Sequence, residues 1–237
     1  MKLSDLRPAG TLAQKFGVKC LGYGPPGSGK TPIINTAPNP LMLVTEPGLL
    51  SMRGSTVPAF EAFDVKAIDE FFKWLFGSTE TKKFDTICVD STSQMAEINL
   101  LEAEGKSKDG RAVYGIMSKA VMKNINKLFF MENKHIFLIA KEGTIEETVW
   151  NFTGPIPQKM TVMKKVPYFP GRELGVKIPH LYDEILYMSQ GVVPGQIGEM
   201  KYIRTNGSSD VSARDRSGKL DNYEPQDLNY IFNKINL

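Results

Sequence analysis

The chain has 237 residues, 41% of them hydrophobic and 23% charged, with a formal net charge of +3. That length suffices for one α/β domain with a buried core, or such a core with a small appendage, and so small a charge surplus does not by itself point to nucleic acid. No apolar run approaches the ~18–20 residues that span a bilayer, and Met1–Gly10 has no apolar stretch of signal-peptide type; the expected location is the cytoplasm, with no membrane partner.

In chain order, residues 1–14 form an amino-terminal segment. Val18–Tyr23 reads as a buried strand followed by a glycine-rich turn, and Leu41–Thr45 as a second strand. Ile68, Phe71, Phe72 and Leu75 recur at helical spacing within Ala67–Phe76. Asp85–Asp90 is a third strand. Ser91 and Gln94 form a capping box for a helix running to about Ala103. Val113, Ile116, Met117, Ala120, Val121, Ile125 and Leu128 mark one face of a long helix, and His135–Ala140 is a fourth strand. Residues 142–179 are dense in proline and glycine and lack a long periodic stretch, so they read as a long functional loop. Glu184–Met188 and Lys201–Arg204 read as strands, and Pro225 opens a final helix with Leu228, Ile231, Phe232 and Ile235 facing inward. This alternation predicts one α/β domain over 1–237, with a mostly parallel sheet, helices on both faces, and a carboxy-terminal strand and helix in 201–237. Cys20 and Cys88 fall in separate buried strands, and His135 and His180 are isolated; neither a disulfide framework nor a metal-ligand spacing results.

Gly24-Pro25-Pro26-Gly27-Ser28-Gly29-Lys30-Thr31 matches G-x-x-x-x-G-K-[ST], placed after a strand and before a helix. Glycines let successive N–H groups wrap one anion, and the helix N-terminus adds its dipole. Lys30 is expected on the β- and γ-phosphates and Thr31 on Mg²⁺, with Pro32 tolerated in the first helical turn. Phe84–Asp90 is an apolar strand ending in an acid, the Walker B pattern, which assigns Asp90 to the magnesium side. Ser91 follows it and cannot polarise water. Glu46, emerging after the second strand at the same carboxyl edge, is the expected base. Lys141 ends the fourth strand there and is the expected γ-phosphate sensor.

Together these residues resemble the RecA-like P-loop NTPase core, and within it the small phage proteins filed among AAA-type domains, which include core-only RecA-like single-strand annealing ATPases. The motif-bearing segments are Leu43–Gly48, Asp90-Ser91, Lys141, Pro170–Leu174 and Ala213–Gly218. Lys141 stands where RecA-like sensors often carry glutamine. The resemblance implies ATP and Mg²⁺ as cofactors, assembly into a ring or filament, action in recombination or annealing, possible single-strand-binding or replication partners, and a host-cytoplasm location if the protein is phage-encoded. It also implies two DNA-facing loops. The matching stretches carry Lys106, Lys108 and Arg111, then Trp150, Phe152, Lys159, Lys164 and Lys165. Cations there would track phosphates and aromatics would stack on bases. Arg172, Lys177, Arg214 and Arg216 are the candidates for a basic residue supplied to a neighbouring subunit's nucleotide. A small-molecule kinase and a non-hydrolysing nucleotide switch or replication accessory are the alternative readings of the same loop.

Overall fold

The computed structural model describes residues 2, 5–13, 15–154 and 156–236. Part of the amino-terminal segment and Pro155 of the expected loop therefore lie outside the described residues. The core is a ten-stranded sheet. Its main path runs β10 (Tyr223–Pro225), β8 (Glu199–Arg204), β7 (Glu184–Val192), β1 (Lys19–Gly24), β5 (His135–Asn151), β4 (Thr86–Asp90), β2 (Pro40–Val44) and β3 (Ala59–Glu61). From β7 to β3 every neighbouring pair is parallel. Antiparallel pairs extend it: β7 with β8 and β9 (Arg214–Asp215), β8 with β10, and β5 with β6 (Gln158–Tyr168).

Strand alternation sorts the core into two layers. Leu21, Tyr23, Ile136, Leu138 and Ala140 point to one face, under α2 (Val65–Gly77), α3 (Thr92–Glu104), α4 (Gly110–Phe129) and α5 (Arg172–Leu181). Cys20, Phe137 and Ile139 point to the other, under the 3-10 helix Pro32–Thr36 and α6 (Leu228–Asn236). All of these strand side chains are at most 1% exposed. Burying each leucine or isoleucine among them contributes about 1.5–3 kcal/mol against the entropy of ordering the chain. Asp64 caps α2 by accepting from Ala67 N–H at 2.8 Å, and Ile68, Phe71, Phe72 and Leu75 are its buried stripe, as their spacing predicts. The short α1 (Ala9–Ala13) buries none of its side chains. Among the described residues no helix is long and apolar enough to cross a membrane.

Three expectations are corrected. Residues 142–179 are not a loop: β5 continues to Asn151, β6 returns beside it in continuous antiparallel register, and α5 follows. The β-branched residues Thr144, Ile145, Thr148, Val149, Thr161 and Val162 favour this ribbon; its prolines and glycines fall mostly at the tip, at the strand end and in α5. Pro225 belongs to β10, and α6 begins at Leu228, where Asp227 accepts from Tyr230 N–H at 2.9 Å. The capping box at α3 is only half made. Ser91 Oγ accepts from Gln94 N–H at 3.2 Å, while the Gln94 side chain turns to Lys141.

Candidate nucleotide site

β1 ends at Gly24, and the chain wraps through Gly29 before entering the 3-10 helix at Pro32. The loop must begin with glycine: a Cβ on Gly24 would lie 2.0 Å from the Met188 carbonyl oxygen on β7. Pro25, Pro26 and Gly27 form the outer arc. Ser28 is 3% exposed, and its hydroxyl is buried without a partner, an orphan donor that fits an anion. The Lys30 ammonium donates to the carbonyls of Gly24 and Pro25, both at 2.7 Å. An ammonium has three N–H groups, so one remains for a ligand. Burial pulls its pKa below the usual lysine value, while Asp90, Glu142 and Glu46 pull the other way.

Thr31 and Asp90 meet although 59 residues separate them. Thr31 Oγ1 donates to Asp90 Oδ2 at 2.6 Å. β4 delivers Asp90 to the carboxyl edge, and the P-loop delivers Thr31 to the same point. Asp90 is 5% exposed. Burial raises its pKa to about 6; the Thr31 bond lowers it, Glu46 raises it and Lys30 lowers it. A hydroxyl and a buried carboxylate at this spacing are hard oxygen donors, the chemistry Mg²⁺ requires.

Glu46 leaves β2 at the same edge, with its carboxylate 4.0 Å from Lys141 Nζ. Lys141 is held further by Glu97 at 2.9 Å and Gln94 at 2.7 Å, both on α3. It thus sits among acceptors from two elements, and Glu46 is tethered beside the P-loop through it. The buried Thr45 hydroxyl ties the ends of β2 and β4 together, donating to Ser91 O at 2.8 Å and accepting from Ser91 N–H at 2.9 Å.

The other expected residues are scattered. Lys106 pairs with Glu102 at 2.9 Å. Lys108 lies in the turn before α4, and Arg111 lines a cleft with Tyr114 and Arg172 between the starts of α4 and α5. Trp150 and Phe152 are 54% and 72% exposed at the end of the β5–β6 ribbon, with Lys159 stacked over the Trp150 ring at 5.2 Å. Lys164 pairs with Glu147 at 2.7 Å, and Lys165 turns inward to the Tyr187 hydroxyl at 2.9 Å. Lys177 pairs with Glu173. Arg214 and Arg216 lie by the start of β7, at the opposite edge of the sheet from the P-loop. Arg214 donates to the carbonyls of Pro179 and Tyr182, and Arg216 to His180 O at 2.9 Å with Asp183 at 3.4 Å. Those bonds hold the start of β7 within their own chain.

Sequence reasoning missed Glu142 as a site residue. Its Oε2 is buried without a partner, and its charge reaches Lys30. Register supplied the missing signal, because Gly24 pairs with Lys141 and the next residue must lie beside the loop.

A glycine-wrapped loop, a threonine–aspartate pair and a mostly parallel sheet delivering both to one edge define a P-loop nucleotide-binding protein of the ATPase type. A family model described as an AAA domain matches residues 17–217, and the chain belongs to that family. No curated protein matches it. Among solved structures it is similar to a KaiC-like protein from the hyperthermophilic archaeon Pyrococcus horikoshii OT3, at 12% identity and a TM-score of 0.45 over 80% of this chain and 78% of that one. It is also similar to the flagellar accessory protein FlaH from Methanocaldococcus jannaschii, at 10% identity and a TM-score of 0.38 over 85% and 84%.

Proposed function

We propose that the protein binds ATP with Mg²⁺, hydrolyses it with Glu46 as the water-orienting base, and couples this to binding single-stranded DNA in annealing or recombination. The observation that carries the DNA half is the course of β5. The strand holds Lys141 beside Glu46 and runs without interruption to Trp150 at the far end of the ribbon. Ten residues of strand reach about 33 Å, so one continuous strand joins the nucleotide edge to an exposed aromatic and cationic surface.

Thr31 and Asp90 would hold the metal, which when bound neutralises phosphate charge. The loop amides, Ser28 Oγ and Lys30 would grip the phosphates. Glu46 would accept the proton of an attacking water, with Lys141 keeping its carboxylate in place. On the ribbon, Trp150 and Phe152 would stack on bases while Lys159 follows the backbone. Lys106, Lys108 and Arg111 would add phosphate contacts. Assembly into a ring or filament would bring a basic residue to the neighbour's nucleotide, and Arg172 is our choice, because Lys177, Arg214 and Arg216 are bonded within their own chain.

The test is phosphate release from Mg-ATP, without an acceptor substrate, with and without a poly-dT oligonucleotide. DNA is expected to stimulate release. Glu46→Gln should reduce it by about 10²–10⁴-fold, the usual contribution of a general base. Equal, weak DNA binding with ATP, with ADP and in Lys30→Ala would remove the DNA half of the proposal. Unchanged turnover in Glu46→Gln would remove the assigned base.

A further inference from the structure

We propose that Gln226 is a positioning residue for the phosphate loop, holding the Ser28–Gly29 peptide so that the Gly29 N–H faces the nucleotide phosphates. The inference rests on the nucleotide-binding reading above and extends it to a residue 198 positions away in the chain.

Gln226 lies between β10 and α6, in a segment held from both sides. Pro225 pairs with Tyr202 of β8, and Leu228 N–H donates to the Thr36 hydroxyl at 2.8 Å, which docks the start of α6 on the helix that follows the P-loop. From this position the Gln226 side-chain amide donates to Ser28 O at 2.7 Å and to Tyr202 O at 3.2 Å. Both acceptors are carbonyls, so the nitrogen must face them; the amide has one orientation and both of its N–H groups are used.

The consequence follows from peptide geometry. Asp90–Ser91 is the one cis bond among the described residues, so the Ser28–Gly29 peptide is trans. In a trans peptide the C=O and N–H point in opposite directions. Gln226 fixes the Ser28 carbonyl on the outside of the loop, and the Gly29 N–H is thereby turned inward, to the concave side. The flanking peptides are held separately, Ser28 N–H donating to Pro25 O at 3.3 Å and Gly29 O accepting from Ile33 N–H at 3.2 Å, and Gln226 holds the plane between them. The φ of Gly29 is +97°, a region open to glycine. A side chain at position 29 would displace Gln226 and is disfavoured by the backbone itself. A Cβ there would lie 2.1 Å from Gln226 Oε1, and the region is one that other residues rarely adopt. A preset amide has no ordering cost to meet when the anion arrives.

The experiment compares the parent with Gln226→Leu, which keeps bulk and loses both donors, and Gln226→Glu, which keeps shape and sets a carboxylate against two carbonyls. Affinities for Mg-ATP, Mg-ADP and inorganic tripolyphosphate are measured by calorimetry, with thermal unfolding of the ligand-free protein alongside. Both variants should lose about 10-fold in affinity, roughly one hydrogen bond to a charged group, in the same ratio for ATP and for tripolyphosphate. Ligand-free melting of at least one variant should stay close to the parent's. Parent-like affinity in a folded variant overturns the proposal. So does a loss for ATP that tripolyphosphate does not share, because Gln226 would then act on the nucleoside. If neither variant folds, the residue is structural and the proposal is also overturned. A parent that binds none of the three ligands would instead refute the nucleotide reading itself.

Discussion

Lys30 illustrates how one side chain can carry a site. Its ammonium is held over the loop by the carbonyls of Gly24 and Pro25, and burial makes the charge costly unless an anion shares it. Lys30→Ala should therefore weaken Mg-ATP binding by about 100-fold or more while leaving the ligand-free protein folded, because a partly buried charge is lost along with its desolvation cost. Calorimetric titration checks the first part and circular dichroism the second. Asp90→Asn separates the metal side from the phosphate side. It keeps the volume and removes the negative oxygen facing Thr31 Oγ1 at 2.6 Å. The gain in nucleotide affinity on adding Mg²⁺ should vanish, while metal-free ADP still binds; an intact magnesium effect would rule out the Thr31–Asp90 pair as the metal seat. Most of these residues were legible in the sequence, because eight consecutive positions spell the loop and an apolar strand ends in Asp90. Glu142 and Gln226 were not. The role of each depends on which strand or loop it lies against, and no local pattern records that.

At the scale of elements, the β5–β6 ribbon is the main departure from the sequence reading. Strand prediction relies on one face being apolar and the other polar. Here Ile145, Trp150, Met160 and Met163 are all exposed and fall on both faces of the ribbon. The alternation is blurred, and prolines at the tip and strand end read as a loop. A two-stranded ribbon alone is marginally stable. Its root is anchored: Lys165 N–H donates to Asp210 O at 2.8 Å, Ser212 N–H to Lys165 O at 2.9 Å, and the Tyr23 hydroxyl lies 2.6 Å from Ser212 O and 3.0 Å from Lys165 O. Tyr23 immediately precedes Gly24, so the ribbon root and the P-loop share a support. Two substitutions separate reach from anchoring. Trp150→Ala should weaken single-stranded DNA binding by about 10–100-fold, the worth of one stacked base, with ATP affinity unchanged. Tyr23→Phe should affect both DNA stimulation and nucleotide affinity, since it loosens the root without touching either ligand. Fluorescence anisotropy with a labelled oligonucleotide and nucleotide titrations measure the two effects. Equal DNA affinity in Trp150→Ala would show that the ribbon's exposed surface serves another contact.

Over the whole molecule, the sheet separates its ionisable groups by edge. The carboxyl edge holds Lys30, Asp90, Glu46 and Lys141, while the amino edge holds Lys19, His135 and Glu184. His135 stacks on Phe232 with ring centres 4.2 Å apart, and its Nδ1 accepts from Val18 N–H at 3.1 Å, so the neutral ring carries its proton on Nε2. Burial lowers its pKa to about 4, Lys19 lowers it further, and Asp85 opposes. The unfolded chain therefore takes up a proton near pH 6.5 that the folded chain refuses until about pH 4. The stability concerned is complete above pH 6.5 and is lost as pH falls through that window. Glu184 has the opposite sign. Burial first, and then Asp215, raise its pKa to about 8, so the folded state keeps a proton that the unfolded state gives up near pH 4.5, and stability declines as pH rises between those values. Comparing each variant with the parent isolates each group together with its coupled partners, Lys19 and Asp85 for His135 and Asp215 for Glu184, while titrations elsewhere cancel. His135→Asn retains an acceptor for Val18 N–H. Relative to it the parent should gain about 1–2 kcal/mol from pH 4 to 6.5, after discounting for partial exposure, and nothing further above that. Glu184→Gln should gain on the parent from pH 4.5 to 8. Urea unfolding at several pH values, with and without Mg-ADP, reads both curves. The two edges lie at opposite ends of the central strands, so nucleotide should stabilise parent and variant alike and leave each difference unchanged. A His135 difference that changes shape when nucleotide binds would mean that the sheet transmits the state of one edge to the other.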